Sequence, residues 1–163
     1  MQKTKLVQKL QTIFNKYIRL RDKNDPCISC GEANRTFHAG HYVAVGAKYG
    51  LRFNEDNVHK QCSRCNTFLH GNLINYRKNL IKKIGVDRVE ALENFVDSEK
   101  MLVSQILVDT EYYKYQVKCL EVDGKKDDGI SREKSSDLDS CCKENTDKSY
   151  DELVKEYYES KKK

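Results

Sequence analysis

Four cysteines fall into two matched pairs, Cys27-x2-Cys30 and Cys62-x2-Cys65, with 31 residues between them. Each pair can direct two thiolates at one metal ion, and two pairs complete a tetrahedral set. Four soft thiolates make zinc the natural occupant, with iron as the alternative. Free or oxidised cysteines are the competing reading, which the matched spacing disfavours. An ion held by four thiolates has no open position for water. Such a site is structural, and any reaction near it must use other side chains.

Those side chains lie within and just after the inter-knuckle stretch. His38-Ala-Gly-His41-Tyr42 comes first, Asn57-Val-His59-Lys60-Gln61 leads into the second knuckle, and Asn66 follows Cys65 directly. Phosphodiester hydrolysis needs a base for water and a divalent ion to neutralise charge on the phosphate and the leaving oxygen. A neutral imidazole on a rigid strand suits the first task near pH 7. An amide oxygen at a helix start suits a hard cation such as Mg²⁺, which prefers oxygen ligands and keeps several waters. The order of parts is that of a ββα-metal nuclease of the His-Me finger (HNH) type. We therefore read His41 as general base, Asn66 as a ligand of the catalytic cation, and Asn57 as the residue that fixes the loop and orients the His41 backbone. Each has a plainer alternative: a packed histidine, a helix-capping asparagine and a turn asparagine.

The position before the base, where many HNH nucleases carry an acidic residue or histidine, is Gly40. His38 could serve as the second ligand. Residues three apart on a regular strand face opposite sides, so this needs a bulge at Ala39-Gly40. His59 and His70 are weaker candidates, for phosphate contact or for solvent.

The elements that must position these groups are legible in the apolar spacing. Leu6, Leu10, Ile13, Tyr17 and Leu20 predict a helix over 5–21, stopped by Asn24-Asp25-Pro26. Residues 36–43 and 58–61 predict short strands around a loop over 44–57. A helix is expected from Asn72 at the latest, through Leu73, Tyr76, Leu80 and Ile84, with Gly85 as its stop. A shorter helix carries Val89, Leu92 and Phe95. A longer one begins near Ser98 and carries Leu102, Ile106, Tyr113, Val117 and Leu120. The expected fold is α+β and mostly helical. It divides into an N-terminal helix (1–26), a ββα-metal core with its four-cysteine zinc (27–85), a helical extension (86–121) and a charged tail (122–163). The tail is expected to be disordered over 122–148, with a short helix over 150–160 from the capping pattern Ser149-Tyr-Asp-Glu152.

Only 38% of the 163 residues are hydrophobic and 34% are charged, so the core is small and a metal staple is in keeping. Residues 1–120 hold 20 basic and 12 acidic residues, whereas 121–163 hold 10 and 13. A basic globular part suits a polyanion such as nucleic acid, although a solvated basic surface is the bland alternative. No apolar run approaches the roughly 20 residues of a membrane span. The first residues lack the apolar stretch of a signal peptide, and a cytoplasmic protein is expected. Cys119, Cys141 and Cys142 show no partner pattern.

The sequence resembles the NinG (Rap) family of recombination nucleases of lambdoid phages. The resemblance rests on Asp25-Pro-Cys-Ile-Ser-Cys-Gly31, Ala39-Gly-His-Tyr42, the run Leu51-Arg-Phe-Asn-Glu-Asp-Asn-Val-His-Lys-Gln-Cys62, Cys65-Asn66, Gly71-Asn72 and Tyr76-Arg77. It covers about residues 5–120. It implies a structure-specific endonuclease acting on Holliday junctions and D-loops. The segment Cys62-x2-Cys65-Asn66 is also similar to phage endonuclease VII, a junction resolvase, which implies the same roles for His41 and Asn66. His38 departs from the pattern, since it stands where an aspartate would be the better hard-metal ligand.

On that reading Arg52, His59, Lys60, Arg64 and Arg77 flank the site as DNA contacts, and Lys78, Lys82 and Lys83 extend a basic face beside a distorted minor groove. Such contacts position DNA without reading sequence. Two symmetric cuts in a junction would need a two-fold dimer, for which the helices after residue 86 are the candidate element unless they pack on the chain's own core. Two other functions stay open: a zinc-stabilised nucleic-acid-binding module without catalysis, and a nuclease of ordinary duplex DNA.

Overall fold

The computed structural model describes residues 2–97 and 101–127. The order is α1 (Lys3–Arg21), β1 (Phe37–His41), β2 (Val58–Cys62), α2 (Leu73–Ile84), α3 (Val86–Asn94) and α4 (Val103–Asp127). A short 3₁₀ turn, Tyr49–Leu51, interrupts the loop between the strands, and one wide helical turn, Arg64–Phe68, separates β2 from α2. Mixed α and β elements around a two-stranded sheet bear out the expected fold class. Expectations for Ser98, for 150–160 and for Cys141-Cys142 lie outside the described residues.

The apolar stripe of α1 packs on α4. Leu6, Leu10, Phe14 and Ile18 meet Ile106, Tyr113 and Val117, with Phe53 and Val58 completing the cluster. Phe14 contacts the rings of Phe53 and Tyr113 edge-on, at centroid distances of 5.5 and 4.9 Å. A second cluster joins Leu51 to Tyr76 and Leu80 of α2 and to Val89 and Leu92 of α3. The stripes of α3 and α4 are therefore buried within the chain, which removes the ground for a dimer built through them. Helix α4 also runs past Val122 to Asp127, so the change in composition at Val122 does not end it.

Strands β1 and β2 pair antiparallel with unbroken register, from Phe37 opposite Cys62 to His41 opposite Val58. There is no bulge at Ala39-Gly40. By the two-residue period of a strand, His38 and Gly40 share one face of the sheet and Phe37, Ala39 and His41 the other. This corrects the arrangement in which both histidines turn to one side.

Helix α2 stops where Gly85 takes a φ of 87°. On the other side of the sheet it anchors the first knuckle, because Asn79 Nδ2 donates to the carbonyl of Ile28 at 2.9 Å. Tyr76 is fully buried and its hydroxyl donates to the carbonyl of Gly40 at 2.9 Å.

Candidate metal centre and active site

The four sulfurs of Cys27, Cys30, Cys62 and Cys65 lie within 4.8 Å of one another. The Cys30 and Cys62 sulfurs are 3.7 Å apart. A tetrahedron of Zn–S bonds of about 2.3 Å has edges of about 3.8 Å, so the cage has the size of a zinc site. The first knuckle closes through Gly31, whose φ of 75° disfavours a side chain and whose N–H donates to the Cys27 carbonyl at 2.8 Å. The sulfurs also accept hydrogen bonds: Cys62 N–H donates to Cys27 Sγ at 3.3 Å and Asn72 Nδ2 to Cys65 Sγ at 3.4 Å. Desolvation and the neighbouring thiols Cys27, Cys65 and Cys62 push the Cys30 thiol up to about 12. Such a cluster ionises fully only around a cation.

His41 ends β1 and is partly buried. Its Nε2 lies 2.9 Å from the carbonyl oxygen of Arg52. A carbonyl only accepts, so Nε2 carries the proton and the neutral ring keeps its Nδ1 lone pair free. Burial lowers the His41 pKa below 6.5, against the Arg52 carbonyl, which raises it, and with the Arg52 guanidinium, which lowers it further. The ring is thus neutral at pH 7.

Asn57 is fully buried and braces this end of the strand. Its Oδ1 accepts from Val43 N–H at 2.7 Å, and its Nδ2 donates to the carbonyls of Val43 and Leu51 at 3.0 Å each. Its own carbonyl accepts from Tyr42 N–H at 2.8 Å. The side chain ties the chain following His41 to the loop that carries Arg52.

Asn66 sits within the wide turn Arg64–Phe68, ahead of α2 rather than on its first turn. That turn is closed by Leu69 N–H on the Arg64 carbonyl at 2.9 Å, an i to i+5 bond of the kind often found at functional sites. Asn66 Nδ2 meets His38 Nδ1 at 3.3 Å, so these two residues are brought together. His41 is on the other face of the strand and bonds Arg52 rather than Asn66.

Gly40 has a reason to be glycine. A Cβ there would lie 2.2 Å from Gln61 Oε1. Gln61 is fully buried, its Nε2 donates to Ser29 Oγ and to the Gly71 carbonyl at 2.6 Å each, and its Oε1 has no hydrogen-bond partner. The space that a ligand at position 40 would use is filled by this amide. A hard cation held here would have the Asn66 amide oxygen, with His38 beside it, as its protein donors. Among the described residues the four cysteines are the only group of three or more His, Cys, Asp or Glu side chains close enough for one ion. Such a cation would draw most of its shell from water and substrate phosphate.

The basic residues divide sharply. Arg64, Lys78 and Lys82 are exposed. Arg52 donates to Gln11 Oε1 at 2.7 Å, and Arg77 and Lys83 are paired with Glu93 and Asp25 at 2.7 and 2.6 Å. His59 and Lys60, expected at phosphates, are buried. Lys60 Nζ donates to the Lys23 carbonyl at 2.8 Å and sits 4.6 Å from the Phe37 ring centre. His59 Nδ1 faces Arg21 Nη2 at 2.9 Å and Asp22 Oδ2 at 3.5 Å. Burial alone would raise the Asp22 carboxyl, but the adjacent His59 ring, hydrogen bonds from Arg21, the Arg21 charge and the Lys60 N–H hold it well below the usual carboxylate range. Asp22 and Gln61 act as structural supports through distant partners, the Lys60 N–H for Asp22 and Ser29 and Gly71 for Gln61, which local spacing does not reveal.

Two antiparallel strands, a four-cysteine cage across their knuckle ends and a helix packed behind them define a ββα-metal architecture with a zinc site. The chain belongs to the family described as bacteriophage lambda NinG protein, whose model matches residues 1–123. It is 37% identical over 115 residues to protein ninG of Escherichia phage lambda, covering 70% of this chain and 56% of that protein. It is 44% identical over 89 residues to protein ninG of Salmonella phage P22, covering 54% and 44%. The chain thus spans about half the length of the curated relatives it matches. No solved structure matches it. Among the described residues no helix is long and apolar enough to cross a membrane.

Proposed function

We propose that this chain is a divalent-cation-dependent endonuclease of the His-Me finger type that cuts branched DNA, Holliday junctions and D-loops among them. The observation that carries the reading is the His41 ring, with Nε2 committed to the Arg52 carbonyl at 2.9 Å and Nδ1 uncommitted on a neutral imidazole. A water placed against Nδ1 gives up its proton there as its oxygen attacks phosphorus. Asn57 holds the ring's partner loop in place, so the proton-accepting nitrogen keeps its direction. Asn66 Oδ1, with His38, would hold Mg²⁺ or a similar ion, which when bound neutralises charge on the phosphate and the leaving oxygen. Arg64, Lys78 and Lys82 supply contacts to the DNA backbone.

A second reading, a zinc-stabilised DNA-binding module, draws support from the opposite facing of His38 and His41 and from the lack, among the described residues, of a carboxylate cluster beside Asn66. A synthetic four-way junction and a matching linear duplex, each incubated with Mg²⁺ and either the unaltered protein or His41→Ala, separate the readings. Cleavage of the junction by the unaltered protein alone is expected. Binding without cleavage under Mg²⁺ or Mn²⁺ leaves the module, and equal cutting of junction and duplex leaves a general nuclease.

A further inference from the structure

Beside Asn66 the chain holds apolar side chains out to solvent. Phe68 is 76% exposed, Ile74 87%, Leu73 48% and Leu69 45%. Exposed apolar residues scattered singly are ordinary, but four within seven residues form a patch. The backbone beneath them is clamped. His70, Gly71 and Asn72 take consecutive φ values of 47°, 89° and 45°, a left-handed run. Ser29 Oγ and Gln61 Nε2 donate to the Gly71 carbonyl at 3.2 and 2.6 Å, and Gly71 N–H donates to the Cys65 carbonyl at 2.8 Å. The patch is therefore mounted on the cysteine cage. Its aromatic member lies two residues after Asn66 and four after the exposed Arg64, and the exposed Lys78 lies four residues after Ile74.

We propose that Phe68, backed by Leu69 and Ile74, is a wedge that stacks on a splayed base at a DNA branch point. The proposal rests on the nuclease reading above and supplies its preference for branched substrates. An apolar wedge must unstack a base step to enter, which costs least where the step is already open, and aromatic stacking is indifferent to base identity. Flanking cations suit a base framed by phosphates. A two-fold contact between copies of this chain through the same patch would set like charges of its rim near one another.

The test uses the full zinc-loaded chain without added Mg²⁺, a four-way junction carrying 2-aminopurine at the branch point, and a linear duplex of the same sequence. The unaltered protein should bind the junction more tightly than the duplex and change the 2-aminopurine emission. Phe68→Ala should lose that signal and about tenfold of junction affinity while duplex affinity stays the same. Phe68→Trp should restore both, which a general loss of folding would not allow. Junction preference and emission change retained in Phe68→Ala overturn the wedge alone. Equal losses on junction and duplex, or a changed oligomeric state in sedimentation, overturn it too, the latter in favour of a self-interface. If the unaltered protein shows no junction preference, the branched-DNA reading falls and the wedge with it.

Discussion

His41 of β1 is partly buried and His59 of β2 is buried, and the two are equipped for different work. His41 at the end of β1 faces one neutral carbonyl, which fixes its tautomer and leaves a lone pair free. His59 on β2 has both ring nitrogens occupied, one by Arg21 with Asp22 nearby and the other by the Asp56 carbonyl at 3.1 Å. A proton acceptor needs an uncommitted nitrogen. A brace needs none. On the proposed function the first ring would be the reactive one and the second a brace, although both occur in the same short sheet.

The largest effect that would break this contrast is on cleavage. His41→Ala should lower junction cleavage by about 10²- to 10⁴-fold, the usual range for a general base, with the fold kept. His59→Ala should do the reverse, lowering thermal stability while the rate per folded molecule is maintained; comparable rate losses in both variants would erase the distinction. Next in size, Asp22→Asn removes the centre of a buried charged network and should cost on the order of 3 kcal/mol in denaturant unfolding. Its carboxyl is depressed in the folded chain, so its contribution is present above about pH 4 and is lost as pH falls below that value. Acid unfolding of Asp22→Asn should lack that part of the slope. The His41 ring sharpens the comparison from the other side: the acid limb of kcat/KM should have its midpoint below 6.5, the ordinary imidazole value, because burial has moved that pKa down. An acid limb above 6.5 would place the proton acceptor elsewhere. Smallest is Arg64→Ala, expected to flatten the log–log salt dependence of DNA binding by about one ion and to leave cleavage chemistry alone.

How much of this was legible in the sequence follows from range. The knuckles, both strands, the Gly85 stop and the α1 stripe depend on residues a few positions apart, and local spacing reveals them. Asn57 was readable as a loop residue, and its three side-chain bonds to Val43 and Leu51 are of that kind. What escaped is long-range. Asp22 and His59 are 37 positions apart and join only when α1 lies across the sheet. Asn66 follows a cysteine, which suggested a helix start, but the i to i+5 closure makes a separate turn that no apolar period announces. His59 and Lys60 look like surface cations in a basic stretch, and burial decides otherwise because every residue of β2 is buried in the fold. The exposure of Phe68 likewise contradicts its hydropathy and could be seen only in the folded chain.

The fit of Gln61 against Gly40 also constrains how this site can change. A carboxylate introduced at position 40 alone would collide with the amide oxygen, 2.2 Å from its first carbon. Trimming residue 61 alone would strip the hydrogen bonds to Ser29 Oγ and to the Gly71 carbonyl. Each single step is a loss, and only the pair, Gly40→Asp with Gln61→Ala, opens the space and fills it with a negative ligand. The two positions are therefore expected to vary together, so that descent from one solution to the other passes through a less fit intermediate.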